Sequence, residues 1–321
     1  MNQCLLTIAI PTYNRKPFLK ENLDVLLPQV EEVPDQIEIL ISDNASTDGT
    51  KEYVNEIKDR FNISYSRNTE NLGADGNFLQ CFYKAQGEYL LILSDDDILL
   101  PGSLKKLLAL LKGYPAFVFT NCCGFIGQYQ GRDKCGSPTI KLNEDCYCHI
   151  PDEFIEKVGI HITFVSALCY KMESVKKIRN IQTYCKTDFL QSYIALETIG
   201  MMSQDPLCIS AVPLIAARGG NTGGYNLYTT WFKNFYDLML SAPKLANMNN
   251  KLIQKVLYHS YKSTIFNFVR MFRLQQNSLD LKGRDIVWKV MKHYPFLWCK
   301  TLFWVYTPKN LLLALKRIKR G

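Results

Sequence analysis

The chain has 321 residues, 47% of them hydrophobic and 21% charged, which is enough to bury a full core and excludes a disordered or low-complexity protein. Its net charge of +8 is unevenly spread: from Lys251 onward fifteen Lys and Arg residues stand against two Asp residues, a net of +13, which leaves −5 for residues 1–250. A basic tail of this kind indicates an anionic partner, either a membrane surface or nucleic acid.

Apolar runs that end in polar loops recur through the first 120 residues. Strands are predicted at residues 5–10, 37–41, 63–66, 89–93 and 116–120, and helices at 18–30, 47–60, 77–85 and 103–112. Strands that alternate with helices in this way are typical of a parallel sheet built from βα units. The predicted fold class is therefore α/β.

Polar side chains follow these strands at one end of the predicted sheet. Because ligands bind at the carboxyl ends of parallel strands, we expect Tyr13, Asp43, Asn71 and the triplet Asp95–Asp97 to converge on one crevice. Neither a G-x-G-x-x-G motif after the first strand nor a G-x-x-x-x-G-K-[ST] motif is present. A dinucleotide-binding fold and a P-loop NTPase are therefore not expected.

The acid triplet stands directly after the apolar run 89–93. Three adjacent carboxylates repel one another and cannot be buried without compensation. Hard divalent cations such as Mg²⁺ and Mn²⁺ prefer carboxylate oxygens, so the triplet predicts a metal site that could neutralise a pyrophosphate ligand. A solvated acidic turn that merely ends the strand is the alternative.

Four motifs, in this order, resemble those of the inverting family 2 glycosyltransferases, which have the GT-A fold. They are Ile8–Arg15 (IAIPTYNR), Asp43–Thr50 (DNASTDGT), Asn71–Gly73 with Asn77, and Leu93–Asp97 (LSDDD). The resemblance implies a Rossmann-like, mixed but mainly parallel sheet flanked by helices, with a C-terminal helical extension. It also implies a nucleotide-diphosphate-sugar donor and Mn²⁺ or Mg²⁺ as cofactor.

The expected organisation is a catalytic domain at residues 1–225 and a basic, aromatic-rich helical region at 226–321. Within the catalytic domain, residues 1–120 would bind the nucleotide sugar and residues 121–225 the acceptor.

The resemblance gives the residues of the donor site their roles by position. Pro11 and Tyr13 would line the nucleobase pocket, with Tyr13 stacking on the base, and Asp43 would hydrogen-bond the base. From the residues alone, Tyr13 could instead cover a helix end and Asp43 could cap the helix that follows. The floor of the nucleotide site would be shaped by Asn71, Gly73 and Asn77.

In the acid motif, Asp95 matches a ribose contact, Asp96 the metal ligand on the diphosphate, and Asp97 a second ligand or support. Many family members have an acid at the position of Ser94, so the pair that binds the metal stays open among the three aspartates. Asp48 is interpreted as structural, because a carboxylate in the first turn of a helix is favoured by the helix macrodipole.

An inverting transferase needs a carboxylate that takes the proton from the acceptor hydroxyl. In the family this base usually lies in a Glu-Asp pair at the start of a helix after the acceptor-side strand, which is predicted here at 163–170. Asp188 occupies that position, with Thr187 in place of the Glu, and is the predicted base. An acid of purely local value at a helix terminus is the alternative, Glu197 is a reserve candidate, and His161 receives no role.

A further strand is predicted at 207–216, and the polar loop 218–224 (RGGNTGG) follows it. This loop resembles the family's late Arg-containing loop. Arg218 would therefore bind the leaving diphosphate through its planar fork, and the glycines would let the loop close. A plain surface turn is the alternative.

The eleven cysteines are odd in number, and Met1 is followed by a strand and not by a secretory leader. We therefore expect reduced thiols in a cytoplasmic protein. Cys135, Cys146, Cys148 and His149 fit no common zinc-finger spacing. The sequence has no run of about 20 uncharged apolar residues, so no transmembrane helix is expected.

Aromatic residues mix with cations in the helical tail, most densely at 293–304 and 311–320. Short amphipathic segments of this composition suit an anionic membrane surface. The alternative is a helical subdomain whose aromatic residues pack on the catalytic domain. Nucleic acid is not expected as a partner, because no recognised binding module is present.

Together, the resemblance and the tail predict a cytoplasmic transferase, peripheral on the inner face of the cell membrane. It would act on a glycan or lipid-linked glycan in bacterial surface-polysaccharide synthesis, such as O-antigen or capsule. Two alternatives stay open: direct transfer to a polyprenyl phosphate, and a non-catalytic nucleotide-sugar or membrane-binding protein on a degenerate transferase fold.

Overall fold

The computed structural model describes residues 4–220, 226–275, 281–308 and 310–312. The chain divides into two compact units, Met1–Asn221 with Leu245–Asn247, and Thr222–Lys244 with Met248–Gly321. The described part of the first unit holds the β-sheets and their helices, whereas that of the second unit is helical.

The strands of the described chain are short and belong to two sheets. They are β1 Leu6–Thr12, β2 Ile37–Asp43, β3 Ile63–Arg67, β4 Tyr89–Ile92, β5 Ile98–Leu99, β6 Phe117–Phe119, β7 Cys122–Ile126, β8 Cys146–Cys148, β9 Leu168–Lys171, β10 Leu207–Ile209 and β11 Ile215–Gly219.

The α-helices flank these strands and form the second unit. They are α1 Lys16–Glu31, α2 Thr50–Phe61, α3 Gly73–Lys84, α4 Ser103–Leu111, α5 Pro151–Val158, α6 Met172–Val175, α7 Leu190–Gly200, α8 Phe235–Ala246, α9 Asn250–Ser260, α10 Phe266–Gln275, α11 Leu281–Met291 and α12 Trp298–Tyr306.

The larger sheet has the order β3-β2-β1-β4-β9-β6-β10-β8. β1 to β4 are parallel, β9 runs antiparallel between β4 and β6, and β8 is antiparallel to β10. A smaller sheet has the order β5-β11-β7. The prediction of a mixed, mainly parallel sheet flanked by helices is confirmed.

The central strands are apolar because both of their faces are covered. Every residue of β1 and β4 is buried, as expected for parallel strands between two helical layers. The helix-spaced leucines of α1, from Leu19 to Leu27, are buried against this core. The polar loops that follow β1, β2 and β4 therefore leave the sheet at the same edge.

Two predicted strands are wrong in extent. Of residues 163–170, only the last three belong to a strand, because Thr163 and Ser166 use their hydroxyls in local and long-range hydrogen bonds and the chain forms two 3₁₀ turns before β9. The run 207–216 is not one strand but β10 and the start of β11, which lie in different sheets. Pro213 lies between them and has no N–H with which to continue a ladder.

The second unit has an aromatic core of its own. Phe232, Phe235 and Tyr261 are fully or almost fully buried, and the rings of Phe232 and Tyr261 lie 5.4 Å apart between centroids. Tyr294 packs on Tyr261 at 5.7 Å. Within the residues the structure describes, none of the helices combines the length and apolarity needed to cross a bilayer.

Asp48 joins the beginnings of two helices. Its carboxylate accepts hydrogen bonds from the backbone N–H of Lys16, the first residue of α1, at 2.8 Å, and from the N–H and hydroxyl of Thr50, the first residue of α2, at 3.2 and 2.6 Å. Burial acts to raise the pKa of Asp48, but the hydrogen bonds to its ionised form outweigh it and the pKa is lowered from its ordinary value of 3.8.

We expect Asp48→Ala to lower the free energy of unfolding by about 1 kcal/mol at neutral pH, the usual effect of losing a helix cap. Because the pKa of Asp48 is lower in the folded state, its stabilisation is present above pH 3.8 and is lost as the pH falls through the folded-state pKa. The free energies of unfolding of wild type and variant, measured by urea denaturation, should therefore become more similar as the pH falls through the folded-state pKa of Asp48.

Asp59→Ala, at an exposed position of α2, is the control and should change the free energy of unfolding by less than about 0.5 kcal/mol. A stability difference for Asp48→Ala that is independent of pH would contradict the capping role.

Candidate active site

The acid triplet lies at the carboxyl end of β4 and is almost fully buried. Asp95, Asp96 and Asp97 are 2%, 7% and 4% exposed, so a solvated acidic turn is not what the structure shows. Asn22 of α1 holds the turn by donating to the backbone carbonyls of Ser94 and Asp97, at 3.2 and 2.6 Å. Each carboxylate has its own partners.

Arg15 is the cation that faces the triplet. Its guanidinium forms ion pairs with Asp95 at 3.2 Å and with Asp96 at 2.7 Å, and it lies over the ring of Phe18. Thr12 adds a hydroxyl hydrogen bond to Asp95 at 2.7 Å. Sequence reasoning included Arg15 in the first motif without giving it a role. The signal in the sequence was that Arg15 follows β1, and β1 is the neighbour of β4, the strand that the acids follow.

Asp97 is hydrogen-bonded to two other segments of the domain. Its carboxylate accepts the Ser166 hydroxyl at 2.6 Å and the backbone N–H of Arg218 at 2.9 Å. Ser166 in turn accepts the N–H of Ser94 at 3.0 Å. Asp97 therefore ties the triplet to the turn before β9 and to β11, which fits support better than open ligation.

Burial raises the pKa of two of these carboxyl groups. Desolvation raises the pKa of Asp95 to about 7, although Arg15 and Thr12 oppose the shift. Desolvation and the neighbouring charge of Asp96 raise the pKa of Asp97 to about 7. One facing guanidinium thus does not fully compensate three ionised carboxylates, and for this reason two of them hold a proton more readily than a free aspartate does.

Oxygen ligands of this kind fit a hard divalent cation. Among the described residues, no group of three His, Cys, Asp or Glu side chains is arranged as a complete metal cage. Mg²⁺, however, is usually bound by one or two carboxylates together with substrate phosphates. Asp96, the most exposed of the three, is the first candidate, and Asp95 shares its Arg15 contact.

The residues predicted to contact the nucleobase lie at the ends of β1 and β2. Pro11 is buried within β1, whereas Tyr13 is 42% exposed and its ring is available for stacking. Asp43 is fully buried, and its carboxylate accepts the Ser46 N–H at 2.8 Å and the Tyr65 hydroxyl at 2.6 Å.

Arg67 adds an ion pair to Asp43 at 3.3 Å. These contacts show Asp43 holding the loop between β2 and α2. A contact with a base would require one of its present partners to be exchanged.

An amide network joins the β2 loop to the start of α3. Asn77 accepts the Ser42 hydroxyl at 2.7 Å and donates to the Ser42 carbonyl at 2.9 Å, and it is buried. Asn71 accepts from the Asn44 amide at 2.8 Å and from the Gly73 N–H at 2.9 Å. Asn71, Gly73 and Asn77 thus belong to one network, which also contains Asn44 and Asn68, two residues to which the sequence motifs give no role.

Asp188 lies two residues before Leu190, the first residue of α7, and is exposed. Its backbone is in the left-handed region at φ 63°, and so is that of Lys186 at φ 68°. The N–H groups of Thr187 and Asp188 point to the carboxylate of Asp75 on α3, which links the turn with the predicted base to the helix of the amide network. The reserve candidate Glu197 lies within α7 and accepts the hydroxyl of Tyr184.

The guanidinium of Arg218, which is predicted to bind the diphosphate, has several partners within the protein. The side chain forms an ion pair with Glu21 at 2.5 Å, donates to the carbonyls of Asp96 and Gly127, and lies between the rings of Phe18 and Phe125. A diphosphate contact would require the guanidinium to leave these partners, because its side chain is only 6% exposed. Gly223 and Gly224 of the predicted closing loop lie outside the described residues.

A cleft of about 710 Å³ opens on the α1 side of Arg218, between the first turns of α1 and the loop after β7. Phe18, Glu21 and Tyr129 contribute to its walls, but none of the three acids does. Its position therefore does not coincide with that of the acid cluster, and the carboxylate chemistry, not cavity size, identifies the candidate site.

Two curated glycosyltransferases are similar to this chain over short stretches. The chain is 47% identical over 102 residues to the abequosyltransferase RfbV of Salmonella typhimurium, covering 31% of this chain and 30% of that protein. It is 35% identical over 119 residues to a GalNAc(5)-diNAcBac-PP-undecaprenol beta-1,3-glucosyltransferase of Campylobacter jejuni, covering 36% and 38%. The matches thus span about a third of the length of these relatives.

A solved structure extends the likeness to the whole fold. S. aureus TarS 1-349 in complex with UDP-GlcNAc is similar at a TM-score of 0.64 and 17% identity, covering 92% of this chain and 81% of that one. Residues 7–163 match the model of glycosyl transferase family 2. The chain therefore carries a family 2 glycosyltransferase domain with the GT-A fold.

Proposed function

We propose that this protein is a metal-dependent, inverting glycosyltransferase that uses a nucleotide-diphosphate-sugar donor. The observation that carries the proposal is the buried, incompletely compensated acid cluster at the end of β4, inside the family 2 domain. Tyr13 and the amide network lie at the ends of the neighbouring strand β1 and of β2, where the nucleoside would be bound.

The proposed chemistry is a single displacement at the anomeric carbon. A divalent cation, held by Asp96 with Asp95 or Asp97 as the second acid, would neutralise the charge of the donor diphosphate. Asp188 takes the proton from the acceptor hydroxyl while its oxygen forms the new bond to carbon, and the bond from that carbon to the diphosphate oxygen breaks. One in-line displacement inverts the configuration and releases the nucleoside diphosphate.

The proposed acceptor is a glycan or lipid-linked glycan of a bacterial surface polysaccharide. Support comes from two relatives, since one is named an abequosyltransferase and the name of the other gives it an undecaprenol-linked glycan as its acceptor. An exposed carboxylate such as Asp188 suits an acceptor that arrives from solvent after the donor is bound. Transfer directly to a polyprenyl phosphate would need a different acceptor but the same donor site.

We also propose that the second unit binds the cytoplasmic face of an anionic membrane. Trp288 and Lys289 on α11 are exposed, as is Lys292, the residue after the helix, and Phe296, in the turn that follows, is 90% exposed. Aromatic rings beside cations are typical of interfacial helices. The predicted segment 311–320 lies mostly outside the described residues.

Asp188→Asn should lower turnover by about 10²-fold or more, because the neutral amide cannot accept the acceptor proton. The donor is first identified by a screen of nucleotide sugars with Mn²⁺ for thermal stabilisation. Turnover is then measured as nucleoside diphosphate release, and donor affinity by calorimetry. The affinity should stay at the wild-type value, because the base touches the acceptor. A parallel loss of affinity, or full turnover in the variant, would refute Asp188 as the base.

Replacing Lys289 and Lys292 together by Gln should weaken binding to anionic phosphatidylserine vesicles by about 30-fold. Each cation near the surface contributes about 1 kcal/mol to membrane binding, and 1.4 kcal/mol is a factor of ten. Vesicle sedimentation measures the change.

The matched control is the exposed pair Lys251 and Lys255 on α9, replaced in the same way. Equal weakening by both pairs would show that only overall charge matters, and unchanged binding in both would refute the membrane proposal.

A further inference from the structure

Asp75 is a buried carboxylate to which the sequence motifs give no role. It lies in the first turn of α3, two residues after Gly73 and two before Asn77, and is 8% exposed. In the described part of the chain, its carboxylate makes no hydrogen bond to the acid triplet. Instead, all of its described hydrogen bonds cross 112 to 115 residues of sequence to the turn before α7.

The contacts of Asp75 define the shape of that turn. One carboxylate oxygen accepts the backbone N–H groups of Thr187 at 2.9 Å and Asp188 at 3.1 Å, and the other accepts the N–H of Leu190 at 3.5 Å. Leu190 is the first residue of α7, and no side chain at the Phe189 cap position closes that helix. Asp75 therefore caps α7 from another helix.

The turn needs such an external partner. Lys186 and Asp188 both have backbones in the left-handed region, which is uncommon for a residue with a long side chain such as lysine and less so for aspartate. The Thr187 hydroxyl adds a local bond to the Tyr184 carbonyl at 2.7 Å, but the amide N–H of Asp188 itself is held by Asp75. The direction in which the Asp188 side chain leaves the backbone thus depends on the Asp75 carboxylate.

We propose that Asp75 is a positioning residue: it holds the Asp188 carboxylate at the acceptor and couples its placement to α3, the helix anchored in the amide network of the nucleotide site. The inference rests on the proposed role of Asp188 as the base. Asn77 fixes the same helix turn to the Ser42 backbone, so α3 connects the floor of the donor site with the base.

The test compares Asp75→Asn and Asp75→Ala with wild type in steady-state kinetics. The amide of Asn keeps the side-chain volume but offers one acceptor oxygen in place of two, so we expect an intermediate loss of kcat. Alanine removes every bond, and kcat should fall about 10²-fold, as for an ångström-scale misplacement of a reacting group. The KM and the calorimetric affinity for the donor should stay within about twofold, because Asp75 makes no proposed donor contact.

A matched control is Asp145→Asn. Asp145 also holds a loop through a backbone amide, since it accepts the N–H of Ala211 at 2.9 Å, but it lies beside β8. The Asp145→Asn variant should have the wild-type kcat even if its melting temperature is lower.

A second experiment combines Asp75→Ala with Asp188→Asn. If Asp75 acts through Asp188, the double variant should be no slower than Asp188→Asn alone, because the base is already missing. A further loss of kcat in the double variant would overturn the inference and indicate a general structural role.

The two proposals fail in different ways. Full turnover of Asp188→Asn would show that Asp188 is not the base, and it would also overturn this inference. An inactive Asp188→Asn with wild-type kcat in folded Asp75 variants would overturn the positioning role alone. Loss of donor affinity equal to the loss of kcat, or failure of both Asp75 variants to fold, would also overturn it.

Discussion

The compensation of buried negative charge at the end of β4 is the constraint on which the candidate site depends. Three carboxylates are held there by a backbone turn that Asn22 stabilises, and they differ in what surrounds them. Asp97 is bonded inward to Ser166 and to the backbone of β11, whereas Asp95 and Asp96 share the guanidinium of Arg15. The excess charge that remains is the physical reason to expect a cation and a phosphate-bearing ligand at this edge.

Carboxylates also connect the loops around this edge. Asp48 caps α1 and α2, whose N-termini flank the first polar loops, and Asp75 caps α7 from the first turn of α3. In each case the acceptor lies where backbone N–H groups of a helix have no partner of their own helix. The arrangement gives rigid attachment to loops that would otherwise be held only by their ends, and it joins the donor side of the domain to the turn with the predicted base.

The sequence predicted the parts of the fold that local pattern determines. β1, β2 and β4 are apolar because both faces are buried, and the polar residues at their ends converge as parallel topology requires. The run 207–216 could not be divided from sequence, because an apolar stretch does not reveal which of two sheets each half will join. Arg218 had the expected residue type, but its direction is determined by Glu21, 197 residues earlier in the chain. Asp75 was missed for the same reason, since its partners become neighbours only in the folded domain.

The central claim is that a divalent cation at the acid cluster is needed to bind the donor diphosphate. The most direct test is calorimetric titration of the identified nucleotide sugar into wild type and Asp96→Ala, each with Mn²⁺ and with EDTA. The account predicts that wild type binds the donor much more tightly with Mn²⁺, and that Asp96→Ala binds it weakly and equally in both conditions. Binding by Asp96→Ala that keeps the wild-type affinity and the wild-type response to Mn²⁺ would contradict it.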